Sequence, residues 1–216
     1  PHVIECVMEC ISDYEKLVPV DVTKGRAKVV TDAIRILKEE TSEVPIVGNL
    51  TGPISTASSL MEPVIFYKEL RKKNKEAHAY MEFVTDQLIA FGKAQIEAGA
   101  DVIAISDPSG TGEILGPKYF KEFAVTYLNK LLEGLQTVGL GTIVHICGHM
   151  GSVYNEINEV KSSVLSFDSV VPMKEARAHL KDRVLMGNVS TYTLEFGEPE
   201  RVALLTKNCV KNGSDI

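Results

Sequence analysis

His145-Ile146-Cys147-Gly148 is the stretch of this chain best suited to chemistry. It closes an apolar run, Thr142 to Cys147, that reads as a β-strand. Alternate strand residues share a face, so His145 and Cys147 point the same way, with Cα atoms about 6.6 Å apart. One tetrahedral Zn²⁺ would hold a His nitrogen at roughly 2.0 Å and a Cys sulfur at roughly 2.3 Å, and the reach of the imidazole closes the gap. The alternative is a buried His beside a small buried Cys, filling one layer of a core. His149 follows as a further ligand, an exposed loop residue or a contact to bound substrate.

Asp107 and Asp168 each follow an apolar run, Val102 to Ile105 and Val164 to Phe167. If each projects from a strand end, each can serve as oxygen ligand, substrate contact or proton acceptor, which makes them the catalytic candidates. The competing reading is turn chemistry, because Asp bonds readily to nearby backbone. The loop Gly48-Asn49-Leu50-Thr51-Gly52-Pro53 lacks both phosphate-binding glycine signatures, so it is read as shaping a site mouth. Asn49 there, with His149, is the candidate contact to a bound cofactor. Cys6 and Cys10 share a helix-like spacing with Val3, Val7 and Ile11, which suits core packing better than ligation at i, i+4. Cys209 continues a Val202/Leu205 stripe that should face the core. The cluster Arg71-Lys72-Lys73-Asn74-Lys75 reads as a solvated face, with docking of an acidic partner as the alternative.

The elements that must position these groups alternate. Runs at 44–47, 102–105, 142–147, 164–167 and 184–186 are short, β-branched and nearly continuous in apolar character, as strands of a parallel sheet buried on both faces are. Between them lie helical patterns: Tyr80, Val84, Leu88, Phe91 and Gln95 ending at Gly99, then Phe123, Tyr127, Leu131 and Leu135 ending at Gly139. Strands alternating with helices mean βαβ units, either in an open doubly wound sheet or in a closed (β/α)8 barrel. Polar and Gly residues close every run, which favours the barrel, whose strand ends gather at one mouth. The α/β class is thus expected as a (β/α)8 TIM barrel in one domain, 1–216, incomplete at both ends because five runs are clear and a barrel takes about 250 residues.

Composition removes several alternatives. Lys plus Arg number 23 against 29 Asp plus Glu, a net charge of −6, so there is no electrostatic footprint for nucleic acid. No apolar run approaches the roughly 18 residues of a membrane span. Pro1-His2-Val3 shows neither an initiator Met nor a signal peptide, so the chain reads as a processed or partial product. Four Cys are too few for a disulfide scaffold, which points to the reducing cytoplasm.

Several segments together resemble a known family. Lys24-Gly25-Arg26, Val47 to Pro53, Ala98-Gly99-Ala100-Asp101, Ile105 to Ser109, Pro117 to Phe123 and Val144 to Gly148 occur in order. The chain resembles the uroporphyrinogen decarboxylase-like barrels, and within them most the methylcobamide:coenzyme M methyltransferase branch. That resemblance implies zinc held by His145, Cys147 and a third ligand, a downstream Cys after a strand beginning near Asp215 and so beyond Ile216. It implies a thiolate that takes a methyl group from methylcobamide carried on a separate corrinoid protein, since the chain has no Asp-x-His-x-x-Gly motif. The acceptor would be a small thiol such as coenzyme M, and a homo-oligomer is compatible with this. Two alternatives stand beside it: a metal-free decarboxylase of a tetrapyrrole, and a non-catalytic fragment that binds a corrinoid protein.

Overall fold

The computed structural model describes residues 6–135 and 139–214. In chain order its elements are α1 (Gly25–Glu40), β1 (Val47–Thr51), α2 (Pro53–Ser59), α3 (Pro63–Lys72), α4 (Asn74–Glu97), β2 (Val102–Ser106), α5 (Gly112–Tyr119), α6 (Thr126–Gly134), β3 (Thr142–Ile146), α7 (Tyr154–Ile157), β4 (Val164–Phe167), α8 (Met173–His179), β5 (Val184–Met186), α9 (Thr191–Phe196) and α10 (Pro199–Gly213). A 3₁₀ turn covers Ile11–Lys16, and a π-helical turn, Phe120–Val125, joins α5 to α6.

Among the described residues the five strands form one parallel sheet in the order β1-β2-β3-β4-β5. A doubly wound sheet reverses its strand order at a switch point, whereas a (β/α)8 barrel adds each strand beside the last. The sequential order therefore marks an arc of a barrel, as expected.

Burial shows which face meets the helices. Leu50, Ile103, Ile105, Val144, Ile146, Leu165 and Phe167 are buried, and the residues between them are half-buried or exposed. The outer face of the arc thus meets the helices, and the other face is the inner side of the barrel arc. The inner positions of β2 to β5 carry Val102, Ala104, Ile143, Val164, Val184 and Met186, which kept the runs apolar.

The helices follow their stripes. α4 buries Tyr80, Val84, Leu88 and Gln95, packs on β1 and β2, and stops at Gly99, whose φ of +112° an L side chain rarely adopts. Phe123, Tyr127, Leu131 and Leu135 are buried as their spacing predicts. Their helix is broken, however: Gly116 at φ +69° separates the start of α5 from the π-helical turn, and α6 ends at Gly134 rather than Gly139. α3 and α10 each begin with Pro at the first turn, where a missing N–H costs nothing.

Two segments depart from expectation. The first strand is Val47–Thr51, so Gly48 to Thr51 are strand rather than loop, and Pro53 to Ser59 are helix. Gly48 fits because a Cβ there would lie 2.7 Å from Gln95 Oε1 and 2.8 Å from Ile103 Cδ1. The buried Gln95 amide then grips β1, accepting from Asn49 N–H at 3.0 Å and donating to the Asn49 carbonyl at 3.1 Å. The second is the N-terminal stripe. Residues 6–10 are not helical, Cys6 and Val7 are exposed, and Ile11 of the stripe is buried together with Met8. Val3 and the strand expected near Asp215 lie outside the described residues. Among those described, no helix is long and apolar enough to cross a membrane.

Candidate metal and active site

Register places the chemistry. Thr51 pairs with Ser106, Ser106 with His145, His145 with Ser166, and Ser166 with Met186, so one row of inner-face residues crosses all five strands. Cys147 and Asp168 lie two residues further on, at the C-terminal ends of β3 and β4, on the same side as His145 and Ser166. Barrel enzymes put catalysis at this end.

His145 is half-buried, and its two ring nitrogens face different partners. Nδ1 lies 3.0 Å from Ser166 Oγ, and Nε2 lies 3.5 Å from Cys147 Sγ. Burial holds the imidazole below its ordinary pKa, against the opposing pull of the Asp168 charge. Burial, followed by the charges of Asp168 and Asp107, pushes the Cys147 thiol up. Left to itself, this environment keeps Cys147 a thiol and His145 a neutral base.

That separation tests the metal reading. A nitrogen at roughly 2.0 Å and a sulfur at roughly 2.3 Å on one tetrahedral ion stand about 3.5 Å apart. The pair already has this spacing, and both donors are of types zinc takes, so the two residues fit as two ligands. No group of three or more His, Cys, Asp or Glu side chains that could hold a metal occurs among the described residues. The third ligand expected beyond Ile216 is outside them.

Asp168 is half-buried at the rim. Its Oδ2 accepts Gly148 N–H at 3.2 Å and its Oδ1 accepts Val170 N–H at 3.1 Å, and these bonds hold its carboxyl below the usual range. It thereby fixes the turn directly after Cys147. Asn188, after β5, donates its amide to the carbonyls of Asp168 at 2.7 Å and Val171 at 2.6 Å, which pins this loop.

Asp107 does not project into the mouth as expected. It has the strand parity of Ile103 and Ile105 and so turns outward, where it is wholly buried. Its Oδ1 accepts Ser55 N–H at 2.7 Å and the Ser55 hydroxyl at 2.5 Å, and its Oδ2 accepts Ile54 N–H at 3.2 Å. Burial holds its carboxyl above the ordinary range, with these hydrogen bonds pulling the other way. The carboxylate is the cap that α2 lacks from its own sequence, where Gly52 has no side chain.

The remaining candidates separate. Asn49 lies exposed on β1, one inner-face pair before the Thr51 row. His149 is exposed, and its N–H donates to Glu113 Oε2 at 3.1 Å. Arg71 is committed to the Ile114 carbonyl at 2.9 Å, and Lys73 to Glu69 at 2.6 Å. Ser166 and Ser106 are the inner-face residues that sequence reading passed over. For Ser166 the available signal was parity: a Ser inside an apolar strand, two residues before an Asp at its end.

A family model described as uroporphyrinogen decarboxylase matches residues 1–216. Methylcobamide:CoM methyltransferase MtbA of Methanosarcina acetivorans is 30% identical over 215 residues, which is 99% of this chain and 63% of that protein. Methylcobamide:CoM methyltransferase MtaA of Methanosarcina barkeri (strain Fusaro) is 31% identical over 93% of this chain and 60% of its own length. A solved methyltransferase from Methanosarcina mazei superposes with a TM-score of 0.84 at 32% identity, covering 92% of this chain and 60% of that one. The chain spans roughly three-fifths of the length of these relatives. With a family match over its whole length and an arc of barrel strands to carry it, the chain belongs to the uroporphyrinogen decarboxylase family.

Proposed function

We propose that this chain carries the metal- and thiol-handling part of a methyltransferase that moves a methyl group from a methylated corrinoid to a small thiol such as coenzyme M. The observation that carries this reading is the His145 Nε2 and Cys147 Sγ pair, 3.5 Å apart at the C-terminal end of β3. The likeness to methylcobamide:CoM methyltransferases supports it.

His145 and Cys147 would hold zinc through Nε2 and Sγ. Zinc bound there would supply a Lewis acid that lowers the pKa of a thiol and holds it as the thiolate, the nucleophilic form. Asp168 orders the turn after Cys147 through its bond to Gly148 N–H, and would offer a carboxylate at the rim for contact with substrate. Asp107 acts one step away, through the α2 cap, and is a positioning residue. Asn49, Thr51 and Ser106 present polar groups on the same face and would line the small-molecule pocket, with exposed His149 at its edge. The corrinoid would arrive on a separate protein, and the mouth would be open to it. We place the protein in the cytoplasm, where its four free cysteines stay reduced.

The test is methyl transfer from methylcobalamin to coenzyme M in the presence of zinc, with the full protein that contains this chain. Wild type should convert the thiol, and Cys147→Ser and His145→Ala should each lose at least a hundredfold. Transfer unaffected by Cys147→Ser would overturn the reading. Decarboxylation of uroporphyrinogen by zinc-free protein would replace it with the family's other chemistry.

A further inference from the structure

His145 and Ser166 are direct partners in the parallel register of β3 and β4, on the same face, with Nδ1 and Oγ 3.0 Å apart. The other ring nitrogen faces Cys147 Sγ at 3.5 Å. A neutral imidazole carries one proton on its two nitrogens, and which nitrogen keeps it is set by the partner of the other. A Cys147 S–H can donate to Nε2 only when Nε2 is bare. A metal ion on Nε2 imposes the same condition. In both states the proton sits on Nδ1, and the group in reach to accept it is the Ser166 hydroxyl. The hydroxyl accepts while its own hydrogen turns elsewhere, so it can serve with and without metal.

We propose that Ser166 is the positioning residue of His145: when Nε2 is engaged by the Cys147 S–H or by a metal, its hydroxyl accepts Nδ1–H and holds the ring with the Nε2 lone pair aimed at Cys147. The metal part of this rests on the zinc reading above; the tautomer part does not. Partners of this kind, one shell out from a ligand, typically change metal affinity 10–100-fold when removed.

Two measurements on the zinc-free full protein that contains this chain test it. Long-range ¹H–¹⁵N spectra of ¹⁵N-His protein at about pH 8, above the ordinary imidazole pKa, report the tautomer, with the His145 signals assigned by their loss in His145→Gln. Wild type should show Nδ1–H at His145, and Ser166→Ala should shift it toward Nε2–H. Titration with Cd²⁺, read by the thiolate-to-cadmium absorption that Cys147→Ser abolishes, should show Ser166→Ala binding about 10–100-fold more weakly and Ser166→Thr, which keeps the hydroxyl, recovering most of the loss. Equal melting temperatures of wild type and Ser166→Ala would exclude a general loss of fold. A His145 ring protonated on Nε2 in wild type, or Cd²⁺ binding unchanged by Ser166→Ala, would overturn the proposal. If wild type gives no Cys147-dependent absorption, the metal reading fails by itself, and the tautomer spectra alone decide the role of Ser166.

Discussion

Asp107 Oδ1 receives two hydrogen bonds from Ser55, one from its N–H at 2.7 Å and one from its hydroxyl at 2.5 Å. Both residues are buried, and the Ser55 hydroxyl also accepts Ser109 N–H at 2.8 Å. The start of α2 and the β2–α5 loop are therefore tied together through one carboxylate at the mouth end of the sheet. Asp107→Ala would leave the N–H groups of Ile54 and Ser55 buried without an acceptor. We expect a loss of about 3 kcal/mol of stability, measured by urea unfolding. Asp107→Asn should lose less, because its carbonyl oxygen still accepts from Ser55. An Asp107→Ala protein as stable as wild type but inactive would show that the carboxylate is chemical rather than structural.

Gly52 exists for the same cap. Its φ of −69° is open to any residue, so backbone freedom is not the reason for glycine. A Cβ at Gly52 would lie 2.4 Å from both Cβ and Cγ of Asp107. Gly52→Ala should destabilise the protein by about 1–3 kcal/mol, the range for forcing an atom into a packed site. A melting temperature equal to that of wild type would contradict this contact.

Acid should release a different carboxylate. Asp101 accepts Ile46 N–H at 2.9 Å and pairs with Lys38 at 2.6 Å, and these two partners, in that order, hold its pKa below the ordinary value. A depressed folded-state pKa adds stability that is present above the unfolded value of about 3.9 and lost as pH falls through the folded one. Wild type should exceed Asp101→Asn in stability near neutral pH, and the two curves should converge below about pH 3.9. Curves that run parallel through the acid range would show that the Asp101 charge contributes nothing.

The barrel was legible in the sequence because strand runs and helical stripes repeat with Gly and Pro at their borders. β1 was misplaced by four residues at its end because Gly48-Asn49 carries turn composition; the parallel pairing with β2 and the grip of Gln95 explain a strand there. The His145/Cys147 pairing followed directly from period-two geometry. The same rule, applied to Asp107, would have sent it outward with Ile103 and Ile105; its place after a strand end was read without its parity. Ser166 was visible by that rule too, but a serine in an apolar strand carries no chemistry until its neighbour across the ladder is known.

We propose above that His145 and Cys147 act as one metal-binding pair. Crystals of the protein grown with zinc, with diffraction recorded above and below the zinc absorption edge, test it most directly. An anomalous peak is expected between Nε2 and Sγ, about 2.0 Å from the nitrogen and about 2.3 Å from the sulfur. Zinc bound elsewhere, with the pair free and its side chains turned apart, would contradict it.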